Sequence, residues 1–233
     1  MTAGGGPWQA LVRSAAAELG VAVAPGQAER MGRMAAELLV WNRRVNLTAI
    51  TDPRDVALKH FVDSLAGADL LPAGARVLDV GTGAGFPGLP LKILRPDLRL
   101  TLIDGVRKKT AFVAHVIRLL GLAQTEALHL RLEALGRAAS RPSFDAVVGR
   151  AVAVLARWVP AAVAVLAPGG MLLAYKGPRA DEEIAELPCL PGLASHERLV
   201  AGRRLKVRVH PYRLPVLGDG RTLVQFQDAP RCR

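Results

Sequence analysis

Val77-Leu78-Asp79-Val80-Gly81-Thr82-Gly83-Ala84-Gly85-Phe86-Pro87-Gly88 decides how this chain folds. An apolar run carrying one acid enters a loop with four glycines, and a second acid, Asp104, closes the next apolar run nineteen residues after Gly85. Strand, glycine loop, helix, strand and acid, in that order, lay out a nucleotide-type cofactor site. Four glycines between a strand and a helix raise the entropy cost of folding, so the backbone there is expected to approach a ligand closely.

Outward from this stretch, apolar runs at 76–80, 99–103, 125–130, 144–148 and 171–176 read as strands. They alternate with helical patterns at about 89–95, 107–120, 132–139 and 153–166, which predicts a parallel, doubly wound sheet. After Lys176 come a short acidic helix, Asp181 to Leu187, and two extended runs, Arg203 to His210 and Arg221 to Gln227. Leu217-Gly218-Asp219-Gly220 joins those runs, and its Asp-Gly pair signals a tight turn. The part before residue 70 is helical throughout. Met31, Met34, Ala35, Leu38 and Leu39 form one apolar stripe. Thr51-Asp52-Pro53 starts a further helix with Asp52 as its N-cap, burying Leu58, Phe61, Val62 and Leu65 and presenting His60, Asp63 and Ser64 on its other face. The expected architecture is α/β, a doubly wound Rossmann-like sheet with a C-terminal antiparallel hairpin, which resembles that of the class I S-adenosylmethionine-dependent methyltransferases. An N-terminal helical extension, 1–70, joins the domain at 71–233 as one structural unit.

The chain has 233 residues, half of them hydrophobic, enough for one substantial core. Its net charge is +11, with 31 basic against 20 acidic residues. That excess favours a polyanionic partner, nucleic acid before membrane. Cys189 and Cys232 stand far apart and form no disulfide or metal pattern, which points to a reducing cytoplasm. His115, His129, His196 and His210 are scattered, so no metal is expected. Met1 to Trp8 does not read as a signal peptide. Val152 to Tyr175 is interrupted by Arg157, Pro160 and Pro168-Gly169-Gly170, and reads as helix, turn and strand rather than a membrane span.

Gly83-x-Gly85-x-x-Gly88 matches a dinucleotide fingerprint, but Asp79 opposes a pyrophosphate. A carboxylate ~5 Å away would cost on the order of 1–3 kcal/mol at intermediate effective dielectric. S-adenosylmethionine carries an ammonium and a sulfonium and no phosphate, so an acid at the end of the first strand would attract it. Asp104 is placed for a ribose diol with either ligand. The fourth strand ends in Phe144-Asp145-Ala146-Val147-Val148-Gly149-Arg150-Ala151, which lacks the Asn/Asp-Pro-Pro-aromatic motif of amino-group methylators. Neither cysteine lies at a strand end, which disfavours pyrimidine-carbon methylation. A ring nitrogen or an oxygen remains as acceptor. Arg150 and Lys176 would act as donors toward a base oxygen, a phosphate or the cofactor carboxylate; a salt bridge ordering the loop is the other reading of Arg150. His60, Asp63 and Ser64 share a helix face without a Gly-x-Ser-x-Gly elbow, so they do not read as a hydrolase triad. Arg107, Lys108 and Lys109 open a helix, where the macrodipole disfavours cations, and this suggests RNA contact. Arg204, Lys206 and Arg208 alternate with Leu205, Val207 and Val209 as a basic ribbon, either for RNA or to protect a sheet edge. Aromatics make up 4% of the chain, too few for a single-strand stacking platform.

Several segments together resemble the RsmG (GidB) ribosomal RNA methyltransferases: Trp41-Asn42, Asn46 to Ile50, His60 to Leu65, Asp79 to Pro90, Arg107 to Phe112, Gly149-Arg150-Ala151 and Tyr175-Lys176-Gly177. The resemblance spans roughly 27 to 227. It implies methylation of N7 of guanine 527, in the 530 loop of 16S rRNA, with naked rRNA, the small subunit and an assembly intermediate all open as the substrate; a monomer is expected. It further implies cofactor contacts at Gly81, Phe86, Leu132, Glu133 and Arg150, with Leu132 and Glu133 bracketing the adenine. Gly105 departs from the serine often found in the family. N7 has an in-plane lone pair and no proton, so no general base is needed, and Arg150 and Lys176 are expected to position rather than exchange protons. An NAD(P)-dependent reductase, a small-molecule methyltransferase and a non-catalytic RNA-binding protein are the rival readings.

Overall fold

The computed structural model describes residues 1–137, 143–188 and 196–228; Cys189 and Cys232 lie outside these ranges, as do the last residues of the helix expected at 132–139. One eight-stranded sheet carries the architecture, in the order β3-β2-β1-β4-β5-β8-β7-β6. Strands β1 (Arg76–Val80), β2 (Arg99–Asp104), β3 (Thr125–His129), β4 (Phe144–Arg150) and β5 (Leu166–Lys176) are parallel. β8 (Gly220–Asp228) runs antiparallel to β5, β7 (Arg203–Arg213) to β8, and β6 (Glu197–Val200) to β7. β1 sits between β2 and β4, where the winding reverses, so its carboxyl end opens onto the crevice in which such sheets bind ligands.

Period-two alternation sorts the strand residues between two cores. Val77, Leu100, Leu102, Ala146, Val148, Leu173, Tyr175 and Leu223 face the N-terminal helices and share one buried cluster with them. Leu78, Val80, Ile103, Val147, Leu172, Ala174 and Phe226 face the other way, against helix α8 (Leu155–Val163) and its neighbours. The N-terminal helices therefore complete one face of the sheet. Helix α1 (Gly6–Glu18) buries Trp8 and Val12, and α2 (Pro25–Val45) buries Met31, Met34, Ala35 and Leu38 as the stripe predicts. Polar side chains of α2 reach the unpaired carbonyls at two other helix ends. Gln27 Nε2 donates to Leu94 O (2.9 Å) after α5 (Gly88–Leu94), and Arg30 Nη2 donates to Leu120 O (2.5 Å) at the end of α6 (Arg107–Leu120).

The third helical segment begins as expected, with Asp52 Oδ1 accepting from Asp55 N at 3.0 Å and Pro53 in the first turn of α3 (Pro53–Asp55). It continues as a π-helical stretch, Val56–Val62, and ends in α4, Asp63–Leu65. The expected polar face is not solvated: His60 is 8%, Asp63 5% and Ser64 0% exposed, and Leu58, Phe61, Val62 and Leu65 are fully buried. One side of the segment meets α1 and the other meets the glycine loop.

The hairpin differs from the sequence reading in three respects. β6 was not expected. β7 and β8 each extend beyond the anticipated runs. The turn lies at 214–219, with positive φ at Val216 (69°) and Gly218 (73°), so Gly220 opens β8 rather than closing an Asp-Gly turn. Val209, expected on the apolar face, is 42% exposed.

An aromatic ladder fixes the helical segment to the sheet. Trp8 and Phe61 meet edge to face at 5.1 Å, and Phe61 meets Phe86 of the glycine loop the same way at 5.2 Å. Phe61→Ala should therefore lower the unfolding free energy by about 3–5 kcal/mol in a urea titration; a loss below 1 kcal/mol would show that this ladder does not hold the two parts together.

Candidate functional site at the carboxyl ends of the strands

The loop after β1 is built on its own acid. Asp79 is fully buried, and its Oδ2 accepts from Thr82 Oγ1 (2.6 Å) and from Gly88 N (2.9 Å). A Cβ at position 88 would lie 2.6 Å from that oxygen, so only glycine lets α5 start so close to β1. Gly85, at φ +90°, supplies the left-handed turn that an L side chain disfavours. Asp104 closes the loop from the neighbouring strand: its Oδ2 accepts from Gly83 N (2.9 Å) and its Oδ1 from Val106 N (2.8 Å). The sequence reading had Asp79 drawing in a cation directly. In the structure its carboxylate lies beneath the loop, and Oδ1 alone has no hydrogen-bond partner. Burial pushes its pKa up to about 7, against the pull of the Thr82 and Gly88 hydrogen bonds.

Arg150, at the end of β4, does not point freely into solvent. Its Nη1 donates to Lys59 O (2.8 Å), His60 O (3.4 Å) and Asp63 Oδ2 (3.1 Å), while Nη2 bonds His60 Nδ1 at 3.0 Å. Its guanidinium lies 5.2 Å from the Phe86 ring centroid, and His60 stacks on the same ring at 4.6 Å and 15°. Because Arg150 can only donate, His60 Nδ1 is the acceptor. Nε2 then carries the proton toward Thr48 Oγ1, 2.8 Å away. Burial, and then the charge of Arg150, holds the His60 pKa down to about 3. Asp63 Oδ1 accepts from Tyr212 Oη (2.8 Å), and Arg221 Nε lies 3.6 Å away. Thus one carboxylate joins the N-terminal segment, β4 and the C-terminal hairpin.

His60, Asp63, Arg150, Tyr212 and Arg221 wall a cavity of about 440 Å³ with Ile50, Tyr175 and Lys176. The chain has two tyrosines, and both line it; Tyr175 Oη donates to Ser64 O at 2.8 Å. Lys176 also lines it, but its Nζ is held by Ala153 O (2.7 Å) and Glu183 Oε2 (2.6 Å), and Glu183 Oε2 in turn accepts from Leu155 N. Lys176 therefore ties the segment after β4 to α9 (Ala180–Ala185) instead of presenting a free cation. Ser64 Oγ donates to His60 O, so no nucleophile–base pair forms in this segment.

The remaining expected residues fall into three groups. Gly81, Gly83, Gly85 and Phe86 share the loop after β1, with Gly81 exposed, Gly83 half-buried and Gly85 and Phe86 buried, and Asp104 at the end of β2 is tied to it through Gly83. Leu132, at the start of α7 (Leu132–Arg137), packs its side chain into the core beside Leu135, which leaves only its backbone for a ligand; Glu133 is exposed. Arg107 and Lys108 are exposed and Lys109 half-buried at the start of α6, close in sequence to the Asp104 corner. Tyr212 and Arg221 were missed as site residues. The signal was available in the alternation of β7, which puts Tyr212 on the same face as Arg208 and His210. Among the described residues no group of three or more His, Cys, Asp or Glu is placed to hold a metal ion, and no helix is long and apolar enough to cross a membrane.

Residues 27–200 match the sequence model of the family described as rRNA small subunit methyltransferase G. The chain belongs to this family. It is 41% identical over 214 residues to ribosomal RNA small subunit methyltransferase G of Geobacter sp. (strain M21), covering 92% of this chain and 94% of that one. Identity to the protein of the same name from Deinococcus radiodurans is 43% over 227 residues, covering 93% and 83% of the two chains. Among solved structures, a predicted O-methyltransferase from Agrobacterium tumefaciens superposes with a TM-score of 0.54 at 20% identity, over 73% of this chain and 82% of that one. That likeness concerns the fold, which is the class I methyltransferase fold.

The neutral His60 gives the fold an acid-labile point. The unfolded chain takes up this proton near pH 6.5 and the folded chain near 3, so the stabilisation is complete above 6.5 and is lost as pH falls toward 3. Asp79 acts in the opposite sense, favouring the fold while protonated and losing that contribution as pH rises toward about 7. Urea midpoints measured from pH 6.5 down to 3 should fall less steeply in His60→Asn than in the parent; equal slopes would assign the loss to other groups.

Proposed function

We propose that this protein transfers a methyl group from S-adenosylmethionine to N7 of guanine 527 in the 530 loop of 16S rRNA. The observation that carries the reading is the wiring of the cavity. His60 is neutral with both ring nitrogens bonded, and Asp63 is held by Arg150 and Tyr212. No titratable group lining the cavity is poised to accept a proton, and guanine N7 has no proton to give.

The loop suits this methyl donor better than a dinucleotide. Two acids, Asp79 and Asp104, brace it from below, and Asp79 retains an unpartnered oxygen. The ionised fraction of Asp79, beneath the loop, opposes a pyrophosphate and favours a ligand with an ammonium and a sulfonium. Gly81, Gly83, Gly85 and Phe86 would hold the donor through the loop, with Asp104, the Leu132 backbone, Glu133 and Arg150 around it. When bound, S-adenosylmethionine supplies a methyl group activated on sulfonium. The protein's part is to hold the base in line with it and to keep water out. Ile50, Tyr175 and Tyr212 give the cavity apolar lining that a purine would contact, and Arg150 fixes His60 against Phe86 of the loop. Arg150 and Lys176 act by positioning: the first through His60 and Asp63, the second through Glu183 and the segment after β4. Arg150 is neutralised by Asp63 and two backbone carbonyls, which limits its opposition to the positive charge that N7 methylation leaves on the ring. The basic stretch Arg107, Lys108 and Lys109 and the ribbon Arg204, Lys206 and Arg208 would bind the RNA.

Labelled methyl groups should pass from S-adenosylmethionine to unmodified small subunits or to naked 16S rRNA and be recovered as 7-methylguanine at position 527. Label in another base or position would overturn the assignment, and binding of NADH without binding of S-adenosylmethionine would favour a reductase. Arg150→Lys keeps the charge but not the fork that reaches Lys59, His60 and Asp63 together. Its single-turnover rate should fall roughly 10²-fold from misplacement alone.

A further inference from the structure

We propose that Arg204, Lys206 and Arg208 form a track for the phosphate backbone of the RNA strand carrying the target base, leading along β7 to the mouth of the Tyr212 cavity. The proposal rests on the rRNA methyltransferase reading and adds the path of the substrate to it.

Alternation places Arg204, Lys206, Arg208, His210 and Tyr212 on one face of β7. Leu205 and Val207, between them, are buried against the opposite core. The register continues this face across β8: Lys206 stands opposite Gln227, Arg208 opposite Gln225 and Tyr212 opposite Arg221. Tyr212 and Arg221 line the cavity, so the face that begins at Arg204 ends at the candidate site. Residues two apart on a strand are about 6.8 Å apart along its axis, a step comparable to the separation of successive phosphates in one nucleic-acid strand.

The charges are available. Lys206 and Arg208 are exposed and make no hydrogen bond or ion pair among the described residues. Arg204 is 58% exposed and gives only its Nε to Glu197 Oε1, at 3.1 Å; this buried carboxylate pairs with the ribbon at its far end. His210 is committed to Gln225 Oε1 at 3.0 Å and contributes shape rather than charge. Glycine and aromatic platforms are missing from this face until Tyr212, so the track would grip the backbone and leave base recognition to the cavity. Protection of a sheet edge explains the charges less well. β7 lies inside the sheet over Arg203–Lys206, where β6 pairs with it, and the ribbon begins within that paired stretch.

The test is the salt dependence of binding to in-vitro-transcribed 16S rRNA, followed by fluorescence anisotropy with the full chain. Each phosphate contact removed should lower the slope of log affinity against log salt by about 0.7 on a single strand, so the triple variant Arg204→Ala, Lys206→Ala, Arg208→Ala should lose about 2. Arg99→Ala with Arg118→Ala, at exposed positions away from the ribbon, should leave the slope unchanged. Affinity for S-adenosylmethionine, measured by calorimetry, should stay at the parent value in the triple variant. If the triple variant keeps the parent slope, or the Arg99/Arg118 control loses as much, the track is wrong; aggregation of the triple variant with an unchanged slope in the single Lys206→Ala and Arg208→Ala variants would establish edge protection instead. Because this measurement reads binding and not turnover, it stands apart from the methyl-transfer assay. Failure to methylate guanine 527 with an intact slope loss would sink the reaction and leave the track.

Discussion

The guanidinium of Arg150 is where the separate parts of this molecule meet. It takes two carbonyls and a carboxylate from the N-terminal helical segment, an imidazole nitrogen from the same segment, and the face of Phe86 from the glycine loop. No other side-chain type could do this, because five donors in a fixed plane are needed to reach that many acceptors at once. Removing it would leave His60 Nδ1 without its donor and Asp63 with only Tyr212 and Arg221; breaking a buried ion pair costs about 3–5 kcal/mol where the remaining charge is isolated, and less here because Arg221 stays 3.6 Å away. The cavity wall, the tautomer of His60 and the seat of the glycine loop all follow from this one placement.

Seen this way, the N-terminal helices are part of the site. The π-helical stretch turns His60 and Asp63 toward β4 while Leu58 and Phe61 stay in the core. Such stretches concentrate at functional positions because they displace side chains from the regular helical lattice. Trp8, Phe61, Phe86 and His60 then connect α1 to the loop through ring contacts, and Trp8 Nε1 adds a hydrogen bond to Pro53 O at 2.9 Å.

Much of this was readable in the residues. Strands β1 to β4 fell where the apolar runs put them, whereas β5 starts at Leu166 and runs through the Pro168-Gly169-Gly170 read as a turn; Asp52 capped its helix as its position before Pro53 required. The glycine loop and Asp104 were legible because backbone constraints act locally. What escaped the sequence was long-range. Asp63 and Tyr212 are 149 residues apart, and only the folded sheet brings them within a hydrogen bond. Lys176 read as a free donor because Glu183, though close in sequence, pairs with it only through the path of the α9 turn. β6 was missed because a strand of four residues carries too little pattern. Asp79 was given a direct role toward a ligand, since its sequence position does not reveal that Thr82 and Gly88 already occupy one of its oxygens.

The capping contacts of α2 also bear on the order in which the chain can mature. Gln27 and Arg30 are made early, but their acceptors at Leu94 and Leu120 come 67 and 90 residues later, and Arg150 follows Lys59 by 91. At about 5–20 residues per second of synthesis, the first helices wait roughly 3–18 s for those partners. During that interval the apolar stripe of α2 has no sheet to cover it. On a ribosome, the helical segment that completes the cavity thus leaves well before the strand end that anchors it.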